Sequence, residues 1–389
     1  MCFFLGMSPG FWSSALTNIL HAKGLDAWIT PAFLVAPCAA LVSPLIIGAM
    51  ADQRIRGERL LGWIAIVGAV LLFAAFRALD LGWNPWWFVG FFALHSIFTG
   101  PMWGLGTMIA LTHLENGERQ FPLVRMGGTI GWMAAGLITS HVLHADRSVA
   151  CGYASVIARL VLAGVAFAMP ATPSVSSSRS WKSALGVEAF SLLRDRDHFV
   201  FFFVTGLLSV PMSAFYMYVP RHLEALGDDH ASATMTLGQW SEIAAMILVS
   251  ALMVRCRVKV LLVWALSLTV TRFACFALGG MTGLKSWVIA GISLHGIAYT
   301  FYFITAQIFL DRRVPRGMRG QAQGLVTLVS AGIGSGVGTV FSGWFYQTTV
   351  LGGHGGWTLF WAVMTGIMAV CLVMFAMLYR GLATGSDPS

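Results

Sequence analysis

Long apolar stretches separated by short polar segments run through the whole chain. Twelve of them approach the roughly 20 residues that a helix needs to cross the hydrocarbon core of a bilayer. An even number of spans places both ends of the chain on the same side of the membrane. The pattern predicts spans at about residues 2–20, 28–50, 60–80, 88–112, 123–143, 150–169, 199–220, 234–254, 259–280, 287–309, 319–343 and 357–380.

Composition and charge support an all-α integral membrane protein surrounded by lipid. The chain is 57% hydrophobic and 10% charged, outside the range of soluble domains. Of its 24 Lys and Arg residues, sixteen lie in predicted loops and tails on the side of the termini, and five lie opposite. Because positive charge is retained in the cytoplasm, both termini are predicted to be cytoplasmic, in a bacterial inner membrane. The net charge of +8 is then a topology signal and does not indicate nucleic-acid binding.

The chain is predicted to consist of two halves. Residues 170–198 form the longest polar connection, a predicted cytoplasmic linker between six spans in residues 1–169 and six in 199–389. GAMADQRIRGERLLGW after the second span and SALMVRCRVKVLLVW after the eighth each combine a helix end, a basic turn and a new helix. Two pseudo-symmetric six-helix bundles are typical of transporters that hold substrate between the repeats.

Polar and aromatic side chains recur every three or four residues on four predicted spans. This spacing places the members of each group on one face of a helix. Four such faces, one on a span of the first half and three on spans of the second, indicate that the polar side chains meet around a water-accessible cavity. The groups are Arg125, Thr129 and Trp132 on the fifth span, Ser209, Ser213 and Tyr216 on the seventh, Gln239 and Glu242 on the eighth, and His295, Tyr299 and Tyr302 on the tenth.

Glu242 carries the strongest functional signal. A charged side chain at the centre of a membrane helix costs roughly 2.5 to 3.5 kcal/mol, so Glu242 is expected to face the interior with Arg125 as its partner. Changes in the distance to Arg125 would alter proton affinity, which makes the pair a candidate for proton coupling. A buried ion pair that only fixes helix packing is the alternative. For Arg159 and Arg272, a packing role is favoured.

Several motifs resemble known transporters. GAMADQRIRGER is similar to the loop between the second and third helices of the major facilitator superfamily, where an acidic residue and arginines hold the inner helix ends together. The resemblance implies a cytoplasmic gate at Asp52 and Arg56. A solvated run of charges would look similar.

Within that superfamily, the chain resembles the bacterial nucleoside:proton symporters over nearly its whole length. FPLVRMGGTIGW, SWKSALGVEAFSLLRDRD, QWSE, TRFACFALG and RGQAQGLVTLVSAGIGSGVG follow the order of that family. The resemblance implies a twelve-helix fold that imports a nucleoside together with a proton. It also implies substrate contacts by Arg125, Thr129, Trp132, Gln239 and Glu242.

The chain departs from the family pattern on two spans. Ser213 and Tyr216 stand where the family has Gln and Asn, while His295, Tyr299 and Thr300 stand where it has Tyr, Phe and Asp. These positions are still expected to line the substrate site. The replaced acidic position leaves the proton stoichiometry open, and the replaced amides leave the preferred nucleoside open.

The residue chemistry suits a nucleoside. A carboxylate and an amide can bind ribose hydroxyls, and aromatic rings can stack on a base. We therefore expect Gln239 and Glu242 at the sugar and Trp132, Tyr216 or Tyr299 at the base. Another polar metabolite such as a sugar, or uncoupled transport, stays open. A membrane enzyme or sensor is a remote alternative, since the sequence has neither a phosphate-binding loop nor an HExxH motif. No cofactor or metal is expected, and the transporter is predicted to work as a monomer.

Overall fold

The computed structural model describes residues 1–51, 55–172, 187–253, 257–314 and 318–381, which are almost entirely helical. The first eight α-helices are α1 Cys2–Ser13, α2 Leu16–Ala22, α3 Ile29–Ala51, α4 Gly57–Asp80, α5 Pro85–Thr99, α6 Met102–His113, α7 Gly117–His141 and α8 Ala150–Phe167. The next eight are α9 Arg196–Ala225, α10 Ala231–Met235, α11 Leu237–Met253, α12 Val258–Thr282, α13 Lys285–Arg313, α14 Arg319–Thr327, α15 Ser335–Tyr346 and α16 Gly356–Leu378. Short 3₁₀ segments occupy Asp26–Trp28 and Val187–Arg194, and π-helical segments occupy Leu328–Gly334 and Gln347–Leu351.

Each of the twelve predicted spans falls on a helix or on consecutive helices. Within the described residues, eight helical segments are both long and apolar enough to cross a membrane. They are Gly57–Asp80, Pro85–His113, Ala150–Phe167, Arg196–Ala225, Val258–Thr282, Lys285–Ala306, Gln321–Leu351 and Gly356–Leu378. The first, second, fifth and eighth predicted spans fall on α1 with α2, on α3, on α7, and on α10 with α11.

Local sequence explains where helices begin and end. Pro85 opens α5 at a position where its missing N–H costs nothing, and the Asn84 side chain accepts a hydrogen bond from the Trp86 amide at 3.1 Å. Gly283 ends α12 in the left-handed conformation, with φ of 71°. The fourth predicted span is divided at Gly100 and Pro101, the junction of α5 and α6.

The chain divides into two compact units. The first comprises Met1–Arg179 with Tyr216–Thr236, and the second comprises Ser180–Phe215 with Leu237–Ser389. Helix α9 therefore begins in the second unit and ends in the first. The division of the chain into halves at residues 170–198 stays a prediction.

Each unit has its own apolar core. In the first, Leu61 and Ile64 of α4, Ile109 of α6 and Leu162 of α8 are buried together. In the second, aromatic residues of α12 and α16 pack closely, with the rings of Phe276 and Trp361 5.1 Å apart. Aromatic packing of this kind adds to the apolar burial within each bundle.

Two polar side chains that the sequence places inside spans are bonded within the first unit. His95 is buried, with Nδ1 2.8 Å from the carbonyl oxygen of Gly68. Arg159 is also buried, and its Nη1 donates to the sulfur of Met102 at 3.0 Å. These contacts agree with the packing role that the sequence favours for Arg159.

A buried carboxylate joins the start of α9 to the residues that follow α16, within the second unit. Asp197, at the start of α9, accepts hydrogen bonds from the backbone amides of Arg380 and Gly381, both at 2.9 Å. Arg313 at the end of α13 lies 3.6 Å from the same carboxylate. Asp197 also lies in the first turn of α9, where its negative charge is next to the positive end of the helix dipole.

We expect Asp197→Asn to destabilise the protein by about 1 to 3 kcal/mol, because it removes a charged acceptor shared by two amides and a guanidinium. The measurement is the thermal unfolding midpoint in detergent. Glu115→Gln, which neutralises an exposed carboxylate, is the control and should leave the midpoint unchanged. Equal midpoints for Asp197→Asn and the wild type would contradict the expectation.

Candidate functional site

The QWSE segment is held against α13 by a close helix crossing. Gly296 of α13 lies on the backbone of α11, and a Cβ there would overlap the carbonyl of Gly238 and the amide of Glu242. The Gly296 amide donates to Ser241 Oγ at 3.0 Å, and that hydroxyl donates to the Gly238 carbonyl at 2.8 Å. The crossing fixes the position of the Glu242 backbone relative to His295, the residue that precedes Gly296.

The two polar groups of QWSE are both partly shielded from solvent. Gln239 and Glu242 lie about one turn apart on α11 and are half-buried. The side-chain oxygen of Gln239 is buried and has no hydrogen-bond partner within the described part of the chain. A buried acceptor left without a donor costs free energy. A ligand hydroxyl or N–H group could satisfy it.

His295 is a buried member of an Arg–His–aromatic cluster. Its Nδ1 lies 2.5 Å from Nη1 of Arg272, and its ring stacks on Phe215 with centroids 4.3 Å apart. The second guanidinium nitrogen of Arg272 donates to the sulfur of Met212 at 3.0 Å. Because guanidinium groups only donate, Nδ1 of His295 must be the acceptor, and the proton of the neutral ring lies on Nε2.

Sequence reasoning missed the association of Arg272 with His295. Their helices, α12 and α13, are consecutive, but no motif or spacing links the two residues. The sequence shows each residue separately as a polar side chain inside a predicted span. Only the facing of the two helices brings their side chains together.

Aromatic rings continue from His295 along α13. The ring of Tyr299 lies 5.6 Å from that of His295 and 4.5 Å from that of Phe303. On the same helix, the Tyr302 hydroxyl lies 2.8 Å from Thr205 Oγ1, which itself donates to the Phe201 carbonyl. Tyr302 is therefore the donor to Thr205. The three residues predicted to share one face therefore have different contacts. His295 and Tyr299 belong to a row of neighbouring rings, whereas Tyr302 makes a hydrogen bond that holds α13 against α9.

Ser213 and Thr300 are both buried in the second unit. The Ser213 hydroxyl donates to the carbonyl of Ser209 at 3.0 Å and lies 3.2 Å from that of Ser335. Its proton is therefore engaged by helix backbone. The Thr300 hydroxyl has no hydrogen-bond partner within the described residues.

The remaining predicted substrate residues lie in the first unit. On α7, Arg125 is exposed, while Thr129 and Trp132 are half-buried. This helix packs closely on α1, since a Cβ at Gly131 would overlap the Phe3 carbonyl. Tyr216 is 37% exposed. Arg125 and Glu242 belong to different compact units, and their pairing stays a prediction.

The predicted cytoplasmic gate is described in part. Asp52 lies outside the described residues. Arg56 is exposed and precedes α4 with extended backbone, and its carbonyl accepts the first hydrogen bond of that helix from Leu60 at 2.9 Å. The gate therefore stays a prediction.

Comparison with known proteins identifies similar transporters. A family model described as "Nucleoside H+ symporter" matches residues 1–383. YegT of Escherichia coli (strain K12), which carries the name of a nucleoside transporter, is 31% identical over 395 aligned residues that cover 95% of this chain and 90% of YegT. The nucleoside permease NupG of the same organism is 23% identical, with 95% and 92% covered.

A crystal structure of the nucleoside transporter NupG superposes with a TM-score of 0.85 at 22% identity, covering 97% of both chains. This likeness confirms the twelve-helix major facilitator fold that the sequence predicts. The matches to transporters and permeases also confirm that the protein is a transporter and not an enzyme. From the family match over residues 1–383 and the relatives that cover nearly its whole length, this chain belongs to the nucleoside H+ symporter family.

Proposed function

We propose that the protein imports nucleosides across the bacterial inner membrane by proton symport, in which the nucleoside and a proton are carried inward together. The observation that carries the proposal is the match of residues 1–383 to the nucleoside H+ symporter family. Transport follows alternating access, in which a site inside the protein opens to one side of the membrane and then to the other. We propose that a single chain performs this cycle, with both termini in the cytoplasm.

In this proposal, the QWSE segment binds the ribose. The buried Gln239 oxygen without a protein donor supports the assignment, because a ribose hydroxyl would supply the missing hydrogen bond. Glu242, about one turn away, accepts from a second hydroxyl. The aromatic side chains Trp132, Tyr216 and Tyr299 offer surfaces for the base.

Glu242 is also the proposed proton carrier. Binding a proton neutralises the carboxylate and lowers the cost of moving it through a low-dielectric interior. Arg125 is proposed to favour the charged form when it comes near. One charge crossing a membrane potential of about 150 mV gains roughly 3.5 kcal/mol, which supports an accumulation of a few hundredfold.

The test is uptake of labelled uridine by cells that lack their own nucleoside carriers. We expect accumulation that a protonophore abolishes, because collapse of the proton gradient removes the driving force. Cells with the empty vector provide the background. Uptake that persists unchanged with the protonophore would contradict proton coupling. No uptake, with the protein shown to be in the membrane, would contradict uridine as a substrate.

The same assay tests the substrate class. Unlabelled nucleosides should compete with labelled uridine, whereas free ribose and glucose should not, because the proposed site binds a sugar and a base together. Competition by the free sugars at concentrations similar to those of the nucleosides would favour the sugar-transporter alternative.

A further inference from the structure

A chain of charged and hydrogen-bonded groups joins three loops of the first compact unit and the helix ends beside them. They are the α2–α3 loop with the end of α2, the α7–α8 loop, and the loop after α9 with the end of α9. We call this set of groups the outer latch, because the predicted orientation assigns these loops to the outside. Its links are His21 to Asp26 and to Arg221, both at 2.7 Å, Arg221 to Glu224 at 3.2 Å, Glu224 to Arg147 at 2.5 Å, and Arg147 to Asp229 at 3.0 Å. The members are His21, Asp26, Arg147, Arg221, Glu224 and Asp229.

Uncharged contacts run beside the latch. The Thr17 hydroxyl of α2 donates to the Met217 carbonyl at 2.6 Å, and Asn18 donates to the Pro220 carbonyl at 3.3 Å. Both α2 residues are buried. Helix α2 is therefore fastened to the last turns of α9 by direct side-chain contacts. These contacts and the latch would have to separate together.

The geometry determines the protonation state of His21 in the fastened arrangement. Arg221 Nη2 lies 2.7 Å from His21 Nε2, and a guanidinium can only donate. Nε2 must therefore accept and carry no proton. The proton of the neutral ring lies on Nδ1, from which it is donated to the Asp26 carboxylate 2.7 Å away.

A second proton on His21 would oppose this arrangement. It would place an N–H group and a positive charge on Nε2, directly facing the guanidinium of Arg221. The hydrogen bond would be replaced by repulsion between like charges at about 3 Å. The Asp26 contact would instead gain the attraction of a full ion pair. Asp26 follows His21 by five residues, shortly after the end of α2, so this attraction does not depend on contact with α9.

The other charged groups at the latch do not cancel the repulsion between a protonated His21 and Arg221. Glu224 faces Arg221 from one side and is also paired with Arg147, so its negative charge is shared between two guanidinium groups. Lys23, two residues from His21, adds positive charge to the same connection. Two other histidines of this unit, His141 and His230, contact each other, with ring centroids 4.8 Å apart.

We infer that His21 is a proton-binding site whose occupation releases the outer latch. Its ligand is a proton from the solution on the outer side. A proton on Nε2 and the hydrogen bond from Arg221 exclude each other, so occupation of this position shifts the population toward the released arrangement. The consequence for transport rests on the proposed function: external acid would favour the state that receives substrate from outside.

The test measures latch opening without using transport. Spin labels at Lys23→Cys and Ala225→Cys, both exposed positions, report the distance between the ends of α2 and α9 in the full chain with its native cysteines replaced by serine. Pulsed electron paramagnetic resonance gives the distance distribution at about pH 7.5 and about pH 5.5, on either side of the range in which histidine titrates. We expect a single short distance at the higher pH and a longer population at the lower pH. If one proton is linked to opening, the ratio of the long-distance to the short-distance population rises by at most about tenfold for each unit by which the pH falls.

Two substitutions of His21 distinguish the effect of a positive charge at this position from the effect of losing the histidine ring. In His21→Gln, the side-chain oxygen can accept from Arg221 and the amide can donate to Asp26, but neither group titrates. The short distance should therefore persist at both pH values. His21→Lys carries a permanent positive charge and should give the longer distance at both. Thermal unfolding and size-exclusion profiles establish that each variant is folded.

His144→Gln is the control for a general effect of histidine removal, since His144 is exposed in the loop between α7 and α8. It should respond to pH as the wild type does. A distance in the wild-type protein that does not change with pH would overturn the inference, as would a response of His21→Gln equal to that of the wild type. Neither result depends on uridine uptake, so failure of the proposed function would be recognised separately.

Discussion

Replacing Glu242 with glutamine should reduce uridine accumulation from as much as a few hundredfold to about onefold, the value at equilibrium without a driving force. The substitution preserves the size of the side chain and its ability to accept a hydrogen bond, but removes its capacity to carry a proton. The half-buried position of Glu242 on α11 makes ionisation sensitive to its surroundings. The measurement is accumulation of labelled uridine with and without a protonophore.

Two further measurements separate the proposed roles of Glu242. If it carries the proton alone, Glu242→Gln should still bind uridine and exchange labelled for unlabelled uridine across vesicles without a gradient. If its charge is needed to hold the ribose, binding should weaken as well. Glu115→Gln, at an exposed carboxylate, should behave as the wild type. Accumulation by Glu242→Gln that stays sensitive to the protonophore would remove Glu242 as the carrier.

Replacing Gly296 with alanine should lower uridine uptake at least about tenfold and destabilise the protein by about 1 to 3 kcal/mol. The added methyl group would overlap the backbone of Gly238 and Glu242, so α11 and α13 would have to move apart. The hydrogen bond from the Gly296 amide to Ser241 would lengthen, and the QWSE segment would shift relative to His295 and Tyr299. Displacements of this size at a binding site strongly reduce activity.

Gly366→Ala is the matched control, since Gly366 also lies inside a membrane helix but a Cβ there would meet no atom within 4 Å. It should retain uptake and gain slightly in stability, because alanine favours helix more than glycine. Uptake and the unfolding midpoint are compared at equal amounts of protein in the membrane. A Gly296→Ala variant with the uptake of Gly366→Ala would show that the close crossing is not required for transport.

The sequence predicts the fold well because hydrocarbon imposes a simple rule. Every backbone polar group must be paired inside the membrane, so each apolar stretch of sufficient length forms a helix. The fourth span, for example, was predicted from the length and composition of its apolar stretch. Its division into α5 and α6 occurs at Gly100 and Pro101 and was not predicted. Family motifs then identified the class of transporter.

The candidate site was predictable in part. Gln239, Glu242, His295 and Tyr299 stand out because polar residues are costly in a span and recur at helical spacing. The same spacing also selected Tyr302, whose hydroxyl bonds to Thr205 in helix packing. Spacing identifies a face of a helix, but it does not distinguish a face toward substrate from one toward a neighbouring helix.

By itself, the sequence determined the membrane class, the approximate spans and the nucleoside H+ symporter family. Those properties depend on composition, local periodicity and motifs. Only the tertiary structure decided which polar groups meet, as with Arg272 and His295 on adjoining helices, or His21 and Arg221, which are 200 residues apart. The physical reason is that a hydrogen bond needs its atoms within about 3 Å, and such proximity depends on how helices pack.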